Sequence, residues 1–216
     1  MQSMLVIGLG RFGKHLALKL MELGNEVMVV DKDEDSVTEI ASLVTRAQIG
    51  DCMEKDVLQS LGVSNFDVCF VCISDDFQSS LEITSLLKEL GAQMVISKTN
   101  RDIHAKFLLK IGADDVIYPE RDMAQRTAIK YSAKNAFDYI ELTPEYAIFE
   151  IKIPENWIGK TLKELDIRSR HNINVIGRKV KNDVIPVTSA NHIFNVDEHL
   201  LIAGRKRDLL ELMDKK

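Results

Sequence analysis

The residues best placed to do chemistry are the glycines of Gly8-Leu9-Gly10-Arg11-Phe12-Gly13, a G-x-G-x-x-G run. An apolar run, Met4 to Gly8, leads into it, and an amphipathic stretch, Arg11 to Leu23, leads out. In such a strand-to-helix turn the glycines let the backbone turn tightly and approach a phosphate, and the helix N-terminus offers amide donors to it. Asp31 closes the next apolar run, where a carboxylate binds ribose hydroxyls, and Lys32 and Asp33 follow it. Arg11 stands at a variable position of the loop, at the helix start. A guanidinium there adds charge-assisted bonds to an anion beyond what a dinucleotide needs. It favours ADP or ATP over NAD(H), although NAD(H) stays open as a ligand. The competing reading of the loop is a structural turn in a fold that has lost its nucleotide.

Ligands of an open α/β sheet collect beyond the carboxyl ends of its strands. Those ends carry Asp51 and Cys52, then Ile73, Ser74 and Asp75, then Lys98 with Thr99 and Asn100. Asp51 and Ser74 suit adenosine, and Lys98 suits phosphates. The alternative for each is an ordinary surface-loop residue.

These residues need a scaffold that holds several strand ends in a row, and the chain's periodicity supplies one. Strand-like runs at Met4 to Gly8, Glu26 to Asp31, Ala47 to Gly50, Val68 to Ile73, Met94 to Ser97 and Val116 to Tyr118 alternate with helical stretches. The helical stretches are Arg11 to Leu23, Asp33 to Leu43, Glu54 to Leu61, Asp76 to Leu90 and Ile103 to Ile111. Such alternation requires a Rossmann-like, doubly wound, mostly parallel sheet with right-handed crossovers. After Pro119 the pattern changes, and Met123 to Phe137 reads as one amphipathic connector helix. Short strands follow at Tyr146 to Ile153, Ile173 to Val180, Val184 to Val187 and His199 to Ala203, with a helical turn at Leu162 to Leu165 and a closing helix at Lys206 to Met213. Turns fall at Asn182-Asp183 and Ser189-Ala190-Asn191, which makes this part a small α+β domain. The expected organisation is a nucleotide-binding domain over 1–120, a connector over 121–138 and the small domain over 139–216.

Composition narrows the function. A formal charge of -5 with interspersed signs gives no basic stripe for a nucleic acid. The longest apolar run, Val68 to Ile73, is far too short to span a bilayer, and the N-terminus does not read as a signal peptide. A cytoplasmic protein is expected, with any membrane role exerted through a partner. The three cysteines, Cys52, Cys69 and Cys72, suit a reducing compartment. Cys69 and Cys72 have C-x-x-C spacing, but three apart on a strand they face opposite ways and cannot share a metal.

The chain resembles the RCK-domain regulators of Trk and Ktr potassium transporters. The likeness rests on Val6-Ile-Gly-Leu-Gly-Arg-Phe-Gly13 with Val29-Val-Asp31, on Leu108-Leu-Lys-Ile-Gly-Ala-Asp114 with Ile117-Tyr-Pro-Glu-Arg-Asp122, and on Trp157-Ile-Gly-Lys-Thr-Leu-Lys-Glu-Leu-Asp166. It implies an RCK-N (TrkA-N) and a smaller RCK-C (TrkA-C) domain, in homodimers assembled as an octameric ring beneath an integral-membrane potassium transporter subunit. Adenine nucleotides would change the ring's shape, and the protein would sit in the cytoplasm, at the membrane's inner face through that partner. By the same resemblance Arg11 contacts the terminal phosphate, Asp31 the ribose, and Lys98 and His104 the phosphate side. Glu120 would hold a divalent cation, Mg or Ca, or enter the neighbouring subunit's site. Its bland alternative is a carboxylate stabilised at a helix N-terminus. The RCK-C module binds cyclic di-AMP in some members, and the matching residues would be Asp166, Arg168, Asn174, Val175 and Pro186. Arg168-Ser-Arg-His171 departs from the aromatic-bearing versions of that site.

Two classes of function compete. The glycine loop alone permits an NAD(P)-dependent oxidoreductase. Against this, Tyr131-Ser-Ala-Lys134 is one residue short of the Tyr-x-x-x-Lys spacing that puts both groups on one helical face, and little chain remains for a substrate domain. A regulatory subunit that binds without turnover is the expected function.

Overall fold

The computed structural model describes residues 1–132, 136–181, 183–187 and 189–214. Two compact units divide the chain, Met1–Arg121 and Asp122–Lys216. Asn182, read above as part of a turn, and Lys134 of the Tyr131-Ser-Ala-Lys134 run lie outside the described residues.

The first unit is a parallel sheet with helices on both faces. Its strands are β1 (Ser3–Ile7), β2 (Glu26–Asp31), β3 (Arg46–Ile49), β4 (Val68–Val71), β5 (Val95–Lys98) and β6 (Asp115–Ile117), in the spatial order β3-β2-β1-β4-β5-β6. The helices between them are α1 (Arg11–Glu22), α2 (Glu34–Ile40), α3 (Lys55–Leu61), α4 (Phe77–Glu89) and α5 (Asp102–Lys110). β1 is apolar and buried from Met4 to Ile7 because both of its faces are covered. Leu5 and Ile7 pack with Leu58, Ile83 and Leu87 on one side, while Met4 and Val6 pack with Ala17, Val37 and Ile40 on the other. Each Leu, Ile, Val or Met among them, fully buried, stabilises the unit by about 1.5–3 kcal/mol. Cys69 and Cys72 fall in opposite layers, as strand alternation demands. Local chemistry sets the helix starts: Asp33 caps α2 by accepting from the Ser36 amide (3.0 Å), and Asp76 caps α4 by accepting from the Ser79 amide (3.1 Å). The order of strands reverses between β1 and β4, so the crevice for a ligand opens above the end of β1.

The stretch after Pro119 departs from the sequence expectation. Helix α6 begins at Pro119 and ends at Ser132, and Ala136–Glu141 is a strand, β7. Proline fits the first helical position because its missing N–H has no partner there and its φ is already helical. Met123, where the expected connector helix begins, is 60% exposed, and α6 buries none of its described residues. Phe137 lies in the strand, stacked on His199 with ring centroids 4.0 Å apart.

The second unit is an antiparallel sheet in the order β10-β9-β11-β8-β7, formed with β8 (Tyr146–Lys152), β9 (Ile173–Val180), β10 (Asp183–Pro186) and β11 (Glu198–Arg205). Two short helices, α7 (Leu162–Leu165) and α8 (Ile167–His171), precede β9, and α9 (Lys206–Asp214) follows β11. Thr161 and Glu164 form a reciprocal capping box at α7. The core gathers Tyr139, Phe149, Trp157, Phe194, Leu200 and Leu209. Two buried carboxylates belong to this unit. Glu150 accepts from Lys179 (2.8 Å) and pairs with His199 (2.7 Å); Glu198 accepts from Arg178 (2.6 Å) and pairs with His192 (2.9 Å). Burial works to raise both carboxyl pKa values, but these hydrogen bonds outweigh it and hold both below the ordinary range.

Candidate functional site

A cleft of about 580 Å³ opens above the carboxyl ends of β1, β2, β3, β4 and β5. Its floor is the glycine loop. Gly8 has φ +94°, a conformation that L side chains rarely adopt, and a Cβ there would lie 2.9 Å from Ile73. A Cβ at Gly13 would lie 1.9 Å from the Gly8 carbonyl oxygen, so Gly13 does not line the cleft but seats α1 against the loop. Gly10, the N-cap of α1, faces open space: no atom lies within 4 Å of where its Cβ would be, and no side chain caps the helix. The first-turn amides are thus left to meet an anion.

Asp31 buttresses this loop. Its Oδ2 accepts from the Leu9 amide (2.5 Å) and its Oδ1 from the Asp33 amide (2.9 Å), which fixes the carboxylate at the cleft wall. Beside it lies Asp51, whose Oδ1 accepts from the Met53 amide (2.9 Å). Cys52 and Cys72 line the cleft through buried thiols. Burial raises the pKa of each to about 12, aided at Cys52 by the neighbouring Asp51 and Asp31 and opposed at Cys72 by Lys98, so neither is a thiolate nucleophile at neutral pH.

The cleft also holds cations. Arg11, Phe12, Lys32, Ile73, Ser74, Asp75, Lys98 and Glu120 all line the cleft. Lys98 ends β5 with its side chain only 11% exposed; it donates to Ser74 Oγ (3.0 Å), pairs with Glu120 Oε1 (2.9 Å) and lies 5.8 Å from the centre of the Phe12 ring. The Lys98 hydrogen bond holds the Glu120 carboxyl below its usual range, with Arg11 adding to the effect.

Other residues singled out in the sequence lie off the cleft wall. The Asp33 side chain caps α2. Thr99 is buried and bonds the Arg101 backbone, and the Asn100 carbonyl accepts from the Tyr118 hydroxyl. His104 is buried on α5 against Phe77, with ring centroids 4.7 Å apart, and its Nε2 has no partner among the described residues. Burial, then Arg101, lowers its pKa, which favours the neutral ring. In the second unit Asp166 has φ +44° and accepts from the Ser169 hydroxyl (2.8 Å). Arg168, Asn174 and Pro186 are exposed and Val175 half-buried, and none of these lines the unit's own cavity of about 540 Å³ beside Trp157.

Sequence reasoning did not name as site residues Ile7, Val30, Gly50, Met53, Asp76, Ser79 and Ile83, which complete the cleft lining. Asp76 was visible only as a helix start. Its carboxylate accepts from the Ser79 hydroxyl (2.6 Å), whose bonds hold its pKa below the ordinary value. For a divalent cation the protein offers little alone. Among the described residues no group of three or more His, Cys, Asp or Glu side chains is placed to hold a metal ion. Glu120 could supply one oxygen, and a bound phosphate would have to supply others.

A glycine-loop cleft on a doubly wound parallel sheet, followed by a small antiparallel sheet, defines a two-domain class with a Rossmann-like first domain. Residues 4–119 match the TrkA-N domain and residues 147–216 the TrkA-C domain, and the chain belongs to this RCK family. Over 204 residues it is 41% identical to the Ktr system potassium uptake protein C of Bacillus subtilis (strain 168), covering 94% of this chain and 92% of that protein. It is 36% identical to the Ktr system potassium uptake protein A of the same organism, with the same coverage of each. Among solved structures the GsuK channel superimposes with a TM-score of 0.72 at 20% identity, over 100% of this chain and 40% of that one. The GsuK channel bound to NAD gives 0.70 at 19% identity, again over 100% of this chain and 40% of that one. At such identity these likenesses establish the fold. No described helix is long and apolar enough to cross a membrane.

Proposed function

We propose that the chain is a nucleotide-sensing regulatory subunit that gates a membrane potassium transporter. ATP or ADP would bind over the glycine loop, with the ribose at Asp31, the adenosine beside Asp51 and Ser74, and the phosphates between the start of α1, Arg11 and Lys98. The observation that carries the reading is the combination in one cleft of an uncapped helix N-terminus, the fixed Asp31 carboxylate at the end of β2, and the cations Arg11 and Lys98. The relatives' names, Ktr system potassium uptake proteins, support the transporter as partner. Solved neighbours described as bound to NAD, ADP and AMP support a nucleotide as ligand.

Gating of this kind requires binding alone. A ligand with unequal affinity for two conformations of an assembly shifts the population between them, and equal affinity shifts nothing. The assembly is a ring of homodimers, octameric in full, at the cytoplasmic face of the membrane. Glu120 would lend one oxygen to a magnesium or calcium ion held chiefly by the phosphates. Cyclic di-AMP, at Asp166, Arg168, Asn174, Val175 and Pro186, is a second ligand to test.

A thermal-shift series with ATP, ADP, NAD, NADH and cyclic di-AMP tests the reading, because a ligand at a hundred times its Kd stabilises the native state by about 2.7 kcal/mol. Stabilisation by ATP and ADP is expected. A response to nicotinamide nucleotides alone would overturn it in favour of the oxidoreductase.

A further inference from the structure

Lys98 and Glu120 are a buried ammonium and a half-exposed carboxylate facing each other at the phosphate end of the cleft. Lys98 has three N–H donors. Among the described residues one is taken by Ser74 and one by Glu120, which leaves a single donor for an incoming ligand. A phosphate oxygen that took it would lie beside the Glu120 carboxylate, and like charges a few ångströms apart in a partly buried site repel strongly. Arg11 also acts on Glu120 across the same cleft. The carboxylate therefore draws on the cations that a polyphosphate would use.

We propose that Glu120 is a built-in stand-in for the distal phosphate: in the nucleotide-free protein it holds Lys98, and a polyphosphate must evict it to bind. The proposal rests on the nucleotide reading above and adds its regulation. Glu120 lies in the first turn of α6, the helix that leads out of the first unit, whereas Lys98 ends β5 in the sheet. The ion pair ties the start of α6 to the sheet, and eviction cuts that tie. Occupancy of the cleft is thereby transmitted to α6 by competition between two anions for one ammonium, with no other moving part. Glu120 is 61% exposed, so once displaced it can be hydrated in place.

The test is calorimetric binding of ATP to the full chain and to Glu120→Gln in EDTA, so that no cation bridges carboxylate and phosphate. Glutamine keeps the shape and removes the charge. It should tighten ATP by about tenfold, equivalent to about 1.4 kcal/mol. Adenosine, which has no phosphate to meet the carboxylate, should show no such gain. Hydrogen exchange gives a second readout: ATP should speed exchange in a peptide covering the first turn of α6 in the unsubstituted protein and leave it unaltered in Glu120→Gln. Unchanged or weaker ATP binding by a folded Glu120→Gln would overturn the competition and leave the nucleotide reading intact. If the unsubstituted protein bound no adenine nucleotide at all, both would fall.

Discussion

Gly10 and Gly13 stand three residues apart in one loop, yet substitution by alanine should separate folding from binding. At Gly13 the added methyl would lie 1.9 Å from the Gly8 carbonyl oxygen, where real contacts essentially never fall below 3.0 Å. The backbone on one side must therefore retreat by about 1 Å, and it cannot do so as a flexible side chain would. Overpacking of this sort costs about 1–3 kcal/mol. For a chain of this size that is about 2–4 °C of Tm per kcal/mol. At Gly10 the methyl meets nothing, and φ is -63°, which alanine adopts readily. Only the poorer N-cap is lost, about 0.5 kcal/mol. The same methyl intrudes where a phosphate would meet the α1 amides, so Gly10→Ala should weaken ATP by about tenfold, a loss of about 1.4 kcal/mol. Differential scanning fluorimetry and calorimetry on both variants read the two effects. A Gly13→Ala protein that melts with the unsubstituted one would refute the contact argument. A Gly10→Ala protein with undiminished ATP affinity would remove the phosphates from this loop.

Arg11→Ala should weaken ATP more than ADP in calorimetry; equal loss would take Arg11 off the terminal phosphate. Trp157→Ala, which empties a site only 5% exposed, should cost the second unit about 3–5 kcal/mol in urea denaturation. Glu150 and Glu198 have folded pKa values depressed from an ordinary 4.5, so the stability they contribute is present above that value and fades as pH falls through the folded values. Replacing both by glutamine should flatten the loss of stability as pH falls below 4.5, and an unchanged acid limb would contradict the assignment. Light scattering should find a dimer or a larger assembly, and a strict monomer at micromolar concentration would defeat the ring.

The first unit was legible because its signals are local. Gly24, Gly91 and Gly112 close α1, α4 and α5 with positive φ, Asp33 and Asp76 open α2 and α4, and β2 and β4 hold apolar runs. β7 was not legible. Its first residues, Ala136 and Phe137, fall inside the stretch that reads as helix, and what makes them a strand is pairing with β8, Tyr139 opposite Phe149, which no local pattern encodes. α8 was hidden for a related reason: Asp166, at φ +44°, breaks the chain between α7 and α8 without a glycine to announce it. In the site, Asp31 followed from its place after a strand. The pairing of Lys98 with Glu120 could not be seen, because it depends on β5 and β6 being neighbours in the sheet.

The buried cysteines have a practical corollary. Burial pushes all three thiols up to about 12, so thiolate, the form that alkylating reagents attack, is scarce at neutral pH. The chain is in effect silent to maleimides while it stays folded. A single cysteine introduced at exposed Met123 or Tyr131 on α6 would therefore take a fluorophore alone, and report in real time what nucleotides do to that helix.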